Sequence, residues 1–268
     1  FLFASAREAR DFGLWINENI ENIRTVAQGT TSVGMLEGIT QFAVGPNLYL
    51  RFDYTTGDAA GQNMTSKATY AACQWITSAY PHNVDFILSG NIDTDKKHSQ
   101  INTLLSRGKR VIAEVTTTAH TLHNLVGVSP KDLFRARQIS QAGAFMAGSA
   151  NNGAHAANGL TALFIATGQD VANIAESHSG LLYTQLLDNG DYYWSITLPS
   201  MILATHGGGT GLATPLECLK LLGCTGPGTA KKLAEIAAAT VLAGEISLAS
   251  AVLAGDWVTG HEKLGRNH

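Results

Sequence analysis

The chain has 268 residues, of which 45% are hydrophobic and 15% charged, and its formal net charge is -3. The hydrophobic share excludes an intrinsically disordered chain, which buries too little apolar surface to offset the entropy of ordering. The near-neutral balance argues against a nucleic-acid-binding protein, which needs a basic surface, and the low charged fraction predicts extensive burial, as in an oligomer.

The first part of the chain alternates between helical and extended patterns. Hydrophobic spacing predicts a helix over 5–28, a strand over 47–54, a helix over 59–79 and a strand over 84–88. Ser5 and Glu8 have the Ser-x-x-Glu spacing of a capping box at the start of the first helix. This order of elements suits a small α+β domain over residues 1–90.

The residue composition changes after Asn91. Residues 92–110 are polar and lysine-rich, which we interpret as a hinge. Beyond it the sequence predicts a strand over 109–117, a helix opened by Ser129 and Pro130, a helix near 154–167, a β-hairpin around an Asn-Gly turn at 188–191 and a long helix over 229–254. Alanine and glycine crowd the last helix, so we expect it to pack closely on several sides.

Cysteine usage and hydropathy point away from disulfides, metals and membranes. Cys73, Cys218 and Cys224 are too few and too scattered for a disulfide framework or a metal site, which predicts reduced, buried thiols. No stretch reaches the ~18 apolar residues of a membrane span. The first residues also lack the basic region of a signal peptide. We therefore expect no metal and a cytoplasmic location for this chain.

Two segments before residue 100 combine glycines or charges in patterns that suit ligands. Gly57–Met64 lies between a predicted strand and a predicted helix, where backbone amides favour a phosphate. It is not the G-x-G-x-x-G fingerprint, and the alternative is a helix capped by Asp58. In Asp93–Lys97, a lysine beside an aspartate stays protonated and can stabilise an oxyanion. The alternative is a solvated run of charges.

Four later features leave similar alternatives open. His155 and Asn158 share one helix face and either hydrogen-bond a bound acyl group or simply belong to a cap and core. Asp170 follows an apolar helix and is either a buried acid or a turn residue. The run His206–Thr210 is similar to the oxyanion loop of α/β-hydrolases, but the chain has no G-x-S-x-G elbow, which leaves a ligand-binding glycine loop or a flexible turn. His261 is either a surface residue or a general acid that closes over the site.

Taken in chain order, these segments closely resemble the 3-hydroxy-3-methylglutaryl-CoA (HMG-CoA) reductase family. They are more similar to its eukaryotic-type class than to its NADH-using bacterial class. The matching blocks span nearly the whole sequence and are Asn47–Phe52, Gly57–Met64, Ser89–Asn91, Thr94–Lys97, Met146–Ser149, Ala154–Asn158, Gly168–Asp170, Gly207–Thr210, Gly244–Leu248 and His261.

The resemblance implies an α+β fold of two domains. A large CoA-binding domain around a long central helix corresponds to 91–268, and a small ferredoxin-like domain that binds the nucleotide corresponds to 1–90. The implied reaction reduces HMG-CoA to mevalonate and CoA by two hydride transfers from NADPH, with NADH as the alternative cofactor. The implied assembly is a homodimer or higher homo-oligomer with its active site between subunits, and no nucleic acid is involved.

Three residues match the catalytic positions of the family. Lys96 corresponds to the lysine whose ammonium stabilises the oxyanion of the hemithioacetal and aldehyde stages. Asp170 corresponds to the acid that hydrogen-bonds this lysine. His261 corresponds to the acid that protonates the departing CoA thiolate, because a protonated thiol cannot attack the aldehyde again.

Other residues match binding positions of the family. The substrate-contacting positions are Ser89, Asn91, Asp95, Lys97, His155, Asn158 and Ser247. The cofactor loops are represented by Asp58, Gly61, Asn63, Met64, Gly207, Gly208, Gly209 and Thr210. Arg266 aligns with an arginine near the adenosine 2′-phosphate, where a guanidinium suits a phosphate.

The sequence departs from the family in three places. Thr55–Asp58 imitates the T-T-E-G stretch of the catalytic glutamate but has no glutamate, so we expect that segment upstream of Phe1. A substrate-binding lysine before Met146 is absent, and Ile139 lies near its place. The small-domain arginine that helps to select NADPH is replaced around 32–34, so we expect a modest NADPH preference that depends on the C-terminal arginine.

The sequence supports two hypotheses about the function of this chain. The leading hypothesis is an NADPH-dependent HMG-CoA reductase. The alternative is a non-catalytic CoA- or nucleotide-binding relative, or a reductase for a related acyl-CoA. Retention of Lys96, Asp170 and His261 together favours the enzyme, since drift would not be expected to spare all three.

Overall fold

The computed structural model describes residues 1–264, and Arg266 therefore lies outside the described residues. The chain forms two compact units, Phe1–Asp95 and Lys96–His268. Each unit combines helices with an antiparallel sheet, so the predicted α+β class is confirmed.

The first unit contains three helices and a two-stranded hairpin. In chain order these are α1 (Ala6–Glu18), α2 (Ile20–Gln28), β1 (Met35–Val44), β2 (Asn47–Thr55) and α3 (Gln62–Ala79). Buried aliphatic and aromatic side chains from the helices and the hairpin, including Phe12, Ile16, Ile23, Leu48 and Ile76, form its core.

The predicted helix over 5–28 is interrupted at Asn19. One half of the predicted capping box is confirmed, since the hydroxyl of the N-cap residue Ser5 accepts the Glu8 amide at 3.3 Å. The Glu8 carboxylate accepts the Ala4 amide at 3.2 Å, one residue before the N-cap, instead of the Ser5 amide that the box requires. The Asn19 side chain donates to the Trp15 carbonyl at 2.9 Å. An asparagine that bonds to nearby backbone competes with the helical ladder, which explains why α1 and α2 are separate helices.

The strand predicted over 84–88 is wrong in extent. Only Asp85 pairs, through an isolated bridge to Leu2, and Leu2 also bridges to Asn47 at the start of β2. Because β2 pairs in turn with β1, the extended segments run in the order 84–88, Leu2, β2, β1. With helices between these segments in the chain, this is the strand order of a ferredoxin-like unit. Leu2 is joined to its two neighbouring segments by one isolated bridge each, whereas β1 and β2 form a full ladder.

The second unit builds helices around a three-stranded antiparallel sheet of order β3-β5-β4. Its elements are α4 (Gln100–Leu105), β3 (Lys109–Thr117), α5 (Ala119–Val126), α6 (Pro130–Met146), α7 (Ala156–Ala166), α8 (Ile174–Ser177), β4 (Leu181–Leu186), β5 (Tyr192–Met201), α9 (Ala213–Leu221), α10 (Thr229–Ala254) and α11 (Asp256–Leu264). The predicted strand 109–117, the hairpin, the helix opened by Pro130 and the helix 229–254 are confirmed.

Residues 92–110 are not a free hinge. The segment contains α4 and the start of β3, and Arg107 forms an ion pair with the buried carboxylate of Glu176. The polar composition that suggested a linker therefore serves hydrogen bonds inside the second unit.

The long helix α10 is the central helix of the second unit. It packs against β3, β5, α5, α6, α7 and α11, and small residues such as Ala237 and Ala238 are fully buried. Gly228 and Gly255 bound it with φ values of 79°, a backbone conformation that favours glycine. Contrary to expectation, α10 is long and apolar enough to cross a membrane, a weak sign because core helices of soluble proteins pass the same test.

Candidate functional site

Lys96 and Asp170, which are 74 positions apart in the sequence, form an ion pair. The Lys96 Nζ lies 2.9 Å from the Asp170 Oδ2, and the two side chains are 42% and 40% exposed. The hydrogen bond from Lys96 lowers the pKa of Asp170, with further help from the Ala172 amide. Asp170 is therefore ionised at neutral pH, and its negative charge favours the protonated ammonium of Lys96.

The backbone before this pair is unusual. Asn91, Thr94 and Lys96 have φ values of 64°, 58° and 55°, in the left-handed region that non-glycine residues rarely adopt. Each such residue costs about 1–2 kcal/mol, which the surrounding contacts must offset. Strain of this kind concentrates at functional sites, and here three strained residues lie within the six positions that end at Lys96.

The loop that carries Asp170 is bound to the glycine loop after β5. The Gln169 side chain donates to the Ala204 carbonyl at 2.9 Å and accepts the Ala204 amide at 2.7 Å. A Cβ on Gly168 would lie 2.4 Å from the Gly209 carbonyl oxygen, so the two backbones touch. The glycine loop predicted to approach a cofactor is thus held beside the acid loop.

That glycine loop leaves its outer side open. Gly207 and Gly208 have φ values of 81° and 56°, and a Cβ on either would meet no atom within 4 Å. The Thr210 hydroxyl donates to the Gly207 carbonyl at 2.6 Å and closes the turn. Bare backbone that faces open space allows a ligand to approach closely.

A cavity of about 540 Å³ lies between α7, α10 and α11. Four residues that the sequence analysis named from three separate segments, His155, Asn158, Ser247 and His261, all line it. The remaining lining residues are Gly244, Leu248, Ala251, Asp256, Trp257 and Gly260. Its mixture of imidazole, amide and hydroxyl groups with apolar wall suits a partly polar acyl ligand.

His155 is held at this cavity by residues that the sequence analysis did not identify as functional. The buried carboxylate of Glu245 on α10 accepts the amides of Ala154 and His155 at 2.9 and 2.7 Å, at the start of α7. The His155 ring packs against Gly244, where a Cβ would lie 1.9 Å from the ring, and against Gly159. Glycine at position 244 is therefore required by the ring.

We expect Gly244→Ala to lower the free energy of unfolding by about 1–3 kcal/mol, because the new methyl overlaps the His155 ring. Gly143→Ala in α6 is the matched control, since a Cβ there meets no atom within 4 Å. Urea unfolding of both variants checks the difference. Equal or greater stability of Gly244→Ala would contradict this packing.

His261 lines the cavity from α11. Its Nδ1 is within hydrogen-bonding distance of the Trp257 carbonyl, and the two rings lie 4.8 Å apart. A carbonyl can only accept, so Nδ1 carries a proton. The other nitrogen, Nε2, is then the atom that can exchange a proton with a ligand.

In the first unit, the segment 57–64 comprises the loop before α3 and the first three residues of that helix. The N-cap residue is Gly61, with φ 82° and no side-chain cap, and not Asp58 as one alternative held. A Cβ on Gly61 would lie 2.3 Å from the Thr56 Cγ2 atom, so glycine is required here. The positive end of an 18-residue helix favours an anionic ligand beside Asn63 and Met64.

The segment around 32–34 packs against this loop. The Thr31 hydroxyl donates to the Met64 sulfur at 2.9 Å and accepts the Gly34 amide at 3.0 Å. The segment therefore lies beside the candidate nucleotide loop, and it offers a serine and a valine but no cation.

The remaining residues that the sequence analysis matched to substrate contacts are not among those that line the cavity. Ser89 donates to Asp93 at 2.8 Å, and Asp95 accepts the Gln62 side chain at the start of α3 at 2.8 Å. Lys97 is exposed, and so is Ile139, at 67%. Among residues 1–264 no group of three His, Cys, Asp or Glu side chains could hold a metal ion.

Comparisons with known proteins agree on one family. The sequence profile described as "Hydroxymethylglutaryl-coenzyme A reductase" matches residues 1–266. The 3-hydroxy-3-methylglutaryl-coenzyme A reductase of Aeropyrum pernix is 41% identical over 98% of this chain and 64% of its own length. That of Pyrococcus horikoshii is 39% identical over 98% and 65%. That of Drosophila melanogaster is 40% identical over 99% of this chain and 30% of its own length.

Solved structures give the same fold. The class II 3-hydroxy-3-methylglutaryl-CoA reductase from Streptococcus pneumoniae, bound to NADPH in open conformations, aligns with a TM-score of 0.68 at 21% identity. The alignment covers 91% of this chain and 67% of that one. The present chain thus spans about two thirds of the length of the archaeal relatives, at 64% and 65%.

Proposed function

This chain belongs to the hydroxymethylglutaryl-coenzyme A reductase family, and on that premise we propose that it carries most of the catalytic region of an NADPH-dependent HMG-CoA reductase. The observation that carries the proposal is the ion pair between Lys96 and Asp170. Two sequence-distant residues that match the catalytic lysine and its acid lie in direct contact, with the lysine in a strained backbone conformation.

The residues present fit a dinucleotide. Gly61 at the start of α3 and the open backbone at Gly207 and Gly208 are of the kind that phosphates and flat rings approach closely. Asp58, Asn63 and Met64 match cofactor positions of the family, and so does Thr210. NADPH, when bound, supplies the two hydrides of the reaction.

In the proposed mechanism, the Lys96 ammonium hydrogen-bonds the thioester oxygen as negative charge develops on it. Asp170 holds that ammonium in place and keeps it charged, so little reorganisation is needed during the reaction. Once the thioester carbon has gained the first hydride, the resulting hemithioacetal collapses: its C–S bond breaks and its oxygen becomes the aldehyde carbonyl. His261, protonated on both ring nitrogens for this step, gives its Nε2 proton to the departing CoA thiolate and is reprotonated from solvent. The aldehyde carbon then gains the second hydride while Lys96 stabilises the developing oxyanion, and a proton from solvent on that oxygen completes mevalonate.

The acyl group would occupy the cavity of about 540 Å³. His155, Asn158 and Ser247 can donate hydrogen bonds to its hydroxyl and carboxylate groups. Ser89, Asn91, Asp95 and Lys97 are proposed as further substrate contacts. We also propose a homodimer or higher oligomer in which two subunits complete each site, and neither a metal nor a nucleic acid takes part.

The test is an absorbance assay at 340 nm with HMG-CoA, using the longest natural chain that contains this sequence. The expected result is oxidation of NADPH, with NADPH preferred over NADH by a modest margin because residues 32–34 offer no cation. Binding of both ligands without any turnover would favour the non-catalytic relative. Turnover of a different acyl-CoA alone would overturn the substrate assignment.

A further inference from the structure

Glu176 is a buried carboxylate outside every motif that the sequence analysis identified. It lies in α8, its side chain is 0% exposed, and three groups that are distant in sequence converge on it. The Lys96 amide donates to Oε1 at 3.0 Å, and the Asn102 side chain donates to Oε2 at 3.5 Å. The Arg107 guanidinium pairs with the same Oε1.

The position of Glu176 connects it to the catalytic pair. Asp170 caps the turn 171–173, and α8 follows that turn directly, so both acids belong to one short segment. Asp170 contacts the Lys96 ammonium, whereas Glu176 contacts the Lys96 backbone amide. One segment therefore binds the lysine at both ends.

We propose that Glu176 is a positioning residue, whose carboxylate holds the Lys96 backbone in its left-handed conformation and so aims the ammonium at the reacting oxygen. This inference rests on the proposed function. A buried carboxylate would be costly without its partners, and Arg107 offsets its charge at Oε1, the same oxygen that accepts the Lys96 amide. A left-handed lysine persists only where the surroundings hold it, and this hydrogen bond is made by the backbone of that residue.

The competing role for Glu176 is a purely structural ion pair with Arg107. Two double variants separate the roles, Glu176→Gln with Arg107→Met and Glu176→Leu with Arg107→Met. Both remove the pair of charges, but only glutamine keeps an oxygen for the Lys96 amide. Wild type and both variants are compared in kcat, KM for HMG-CoA and NADPH, melting temperature and hydrogen exchange at the Lys96 amide.

The expected result is a kcat about ten- to a hundredfold lower in the leucine variant than in the glutamine variant, since a misplacement of ~1 Å has this effect on rate. The KM values should stay within about twofold, because Lys96 acts on the transition state. Exchange at the Lys96 amide should be faster in the leucine variant. Equal kcat or equal exchange in the two variants would overturn the proposal.

A replacement variant and the exchange rates keep the proposal testable if the leucine variant does not fold or the wild type gives no turnover. If the leucine variant does not fold, Glu176→Asp replaces it, because aspartate keeps the charge for Arg107 but is one methylene too short for the Lys96 amide. Unchanged kcat and unchanged exchange in Glu176→Asp would overturn the proposal. If the wild type itself gives no turnover, the proposed function fails, while the exchange rates alone still decide whether Glu176 holds the Lys96 backbone.

Discussion

Lys96→Ala is expected to lower kcat by about 10²–10³-fold or more, because it removes the preorganised cation that stabilises the developing oxyanion. The ion pair is half-exposed, so the fold should persist. Turnover of both HMG-CoA and the free aldehyde intermediate should fall, because each reduction develops negative charge on the same oxygen. Steady-state kinetics with each substrate measure the loss.

Lys131→Ala provides the matched control, since Lys131 is an exposed lysine at the start of α6 with no proposed role. It should leave kcat within about twofold, as surface substitutions away from a site usually do. Near-normal kcat in Lys96→Ala would instead make this lysine a solvated charge.

Lys96→Ala should also change how the stability of the protein depends on acidic pH. Because Lys96 lowers the pKa of Asp170, the pair stabilises the protein above the ordinary carboxyl pKa. That contribution is lost as the pH falls through the lowered pKa. In Lys96→Ala the pKa of Asp170 should rise towards its ordinary value, which NMR titration of the carboxyl carbon can follow.

Local signals predicted the second unit better than the first. The bounds of α10 at Thr229 and Ala254 follow from glycines on either side and from an alanine- and leucine-rich run between them, in which Gly244 is the one weak helix former. The hairpin of β4 and β5 follows from the turn at Asn189 and Gly190, whose φ is 85°. Such features act within a few residues, so the sequence alone displays them.

The missed elements depend on partners far along the chain. The strand β1 has a mixed burial pattern and an irregular register near Gly38, and its pairing with β2 defines it more than its own alternation does. The segment 84–88 looks like a strand but pairs only at Asp85. Whether a segment becomes a strand is decided by its neighbours in the sheet, which local patterns do not reveal.

The residues of the candidate site also fall into those that the sequence indicated and those that only the folded structure shows. Lys96, Asp170 and His261 were found through a family resemblance, since their residue types alone left equal or better alternatives. Glu176 and Glu245 were missed because each binds backbone amides 80 or more positions away. Such contacts produce no motif or hydrophobic periodicity in the sequence around the glutamate. Supporting residues of this kind become visible only in the folded structure.

His261→Gln is expected to lower kcat for HMG-CoA by about 10²–10⁴-fold, the usual effect of removing a general acid. Glutamine can occupy the cavity wall but cannot deliver a proton to a thiolate at neutral pH. The unprotonated thiolate would attack the aldehyde again, so the hemithioacetal would re-form faster than CoA departs.

The decisive comparison for His261 uses the free aldehyde as substrate. Its reduction releases no CoA, so His261→Gln should keep most of that activity, whereas Lys96→Ala should lose both activities. His120→Gln in α5 is the matched control, because it changes an exposed histidine that is bonded only to Asn124 among the contacts seen in residues 1–264. Equal losses with both substrates in His261→Gln would show that this side chain shapes the cavity and does not protonate the leaving thiolate.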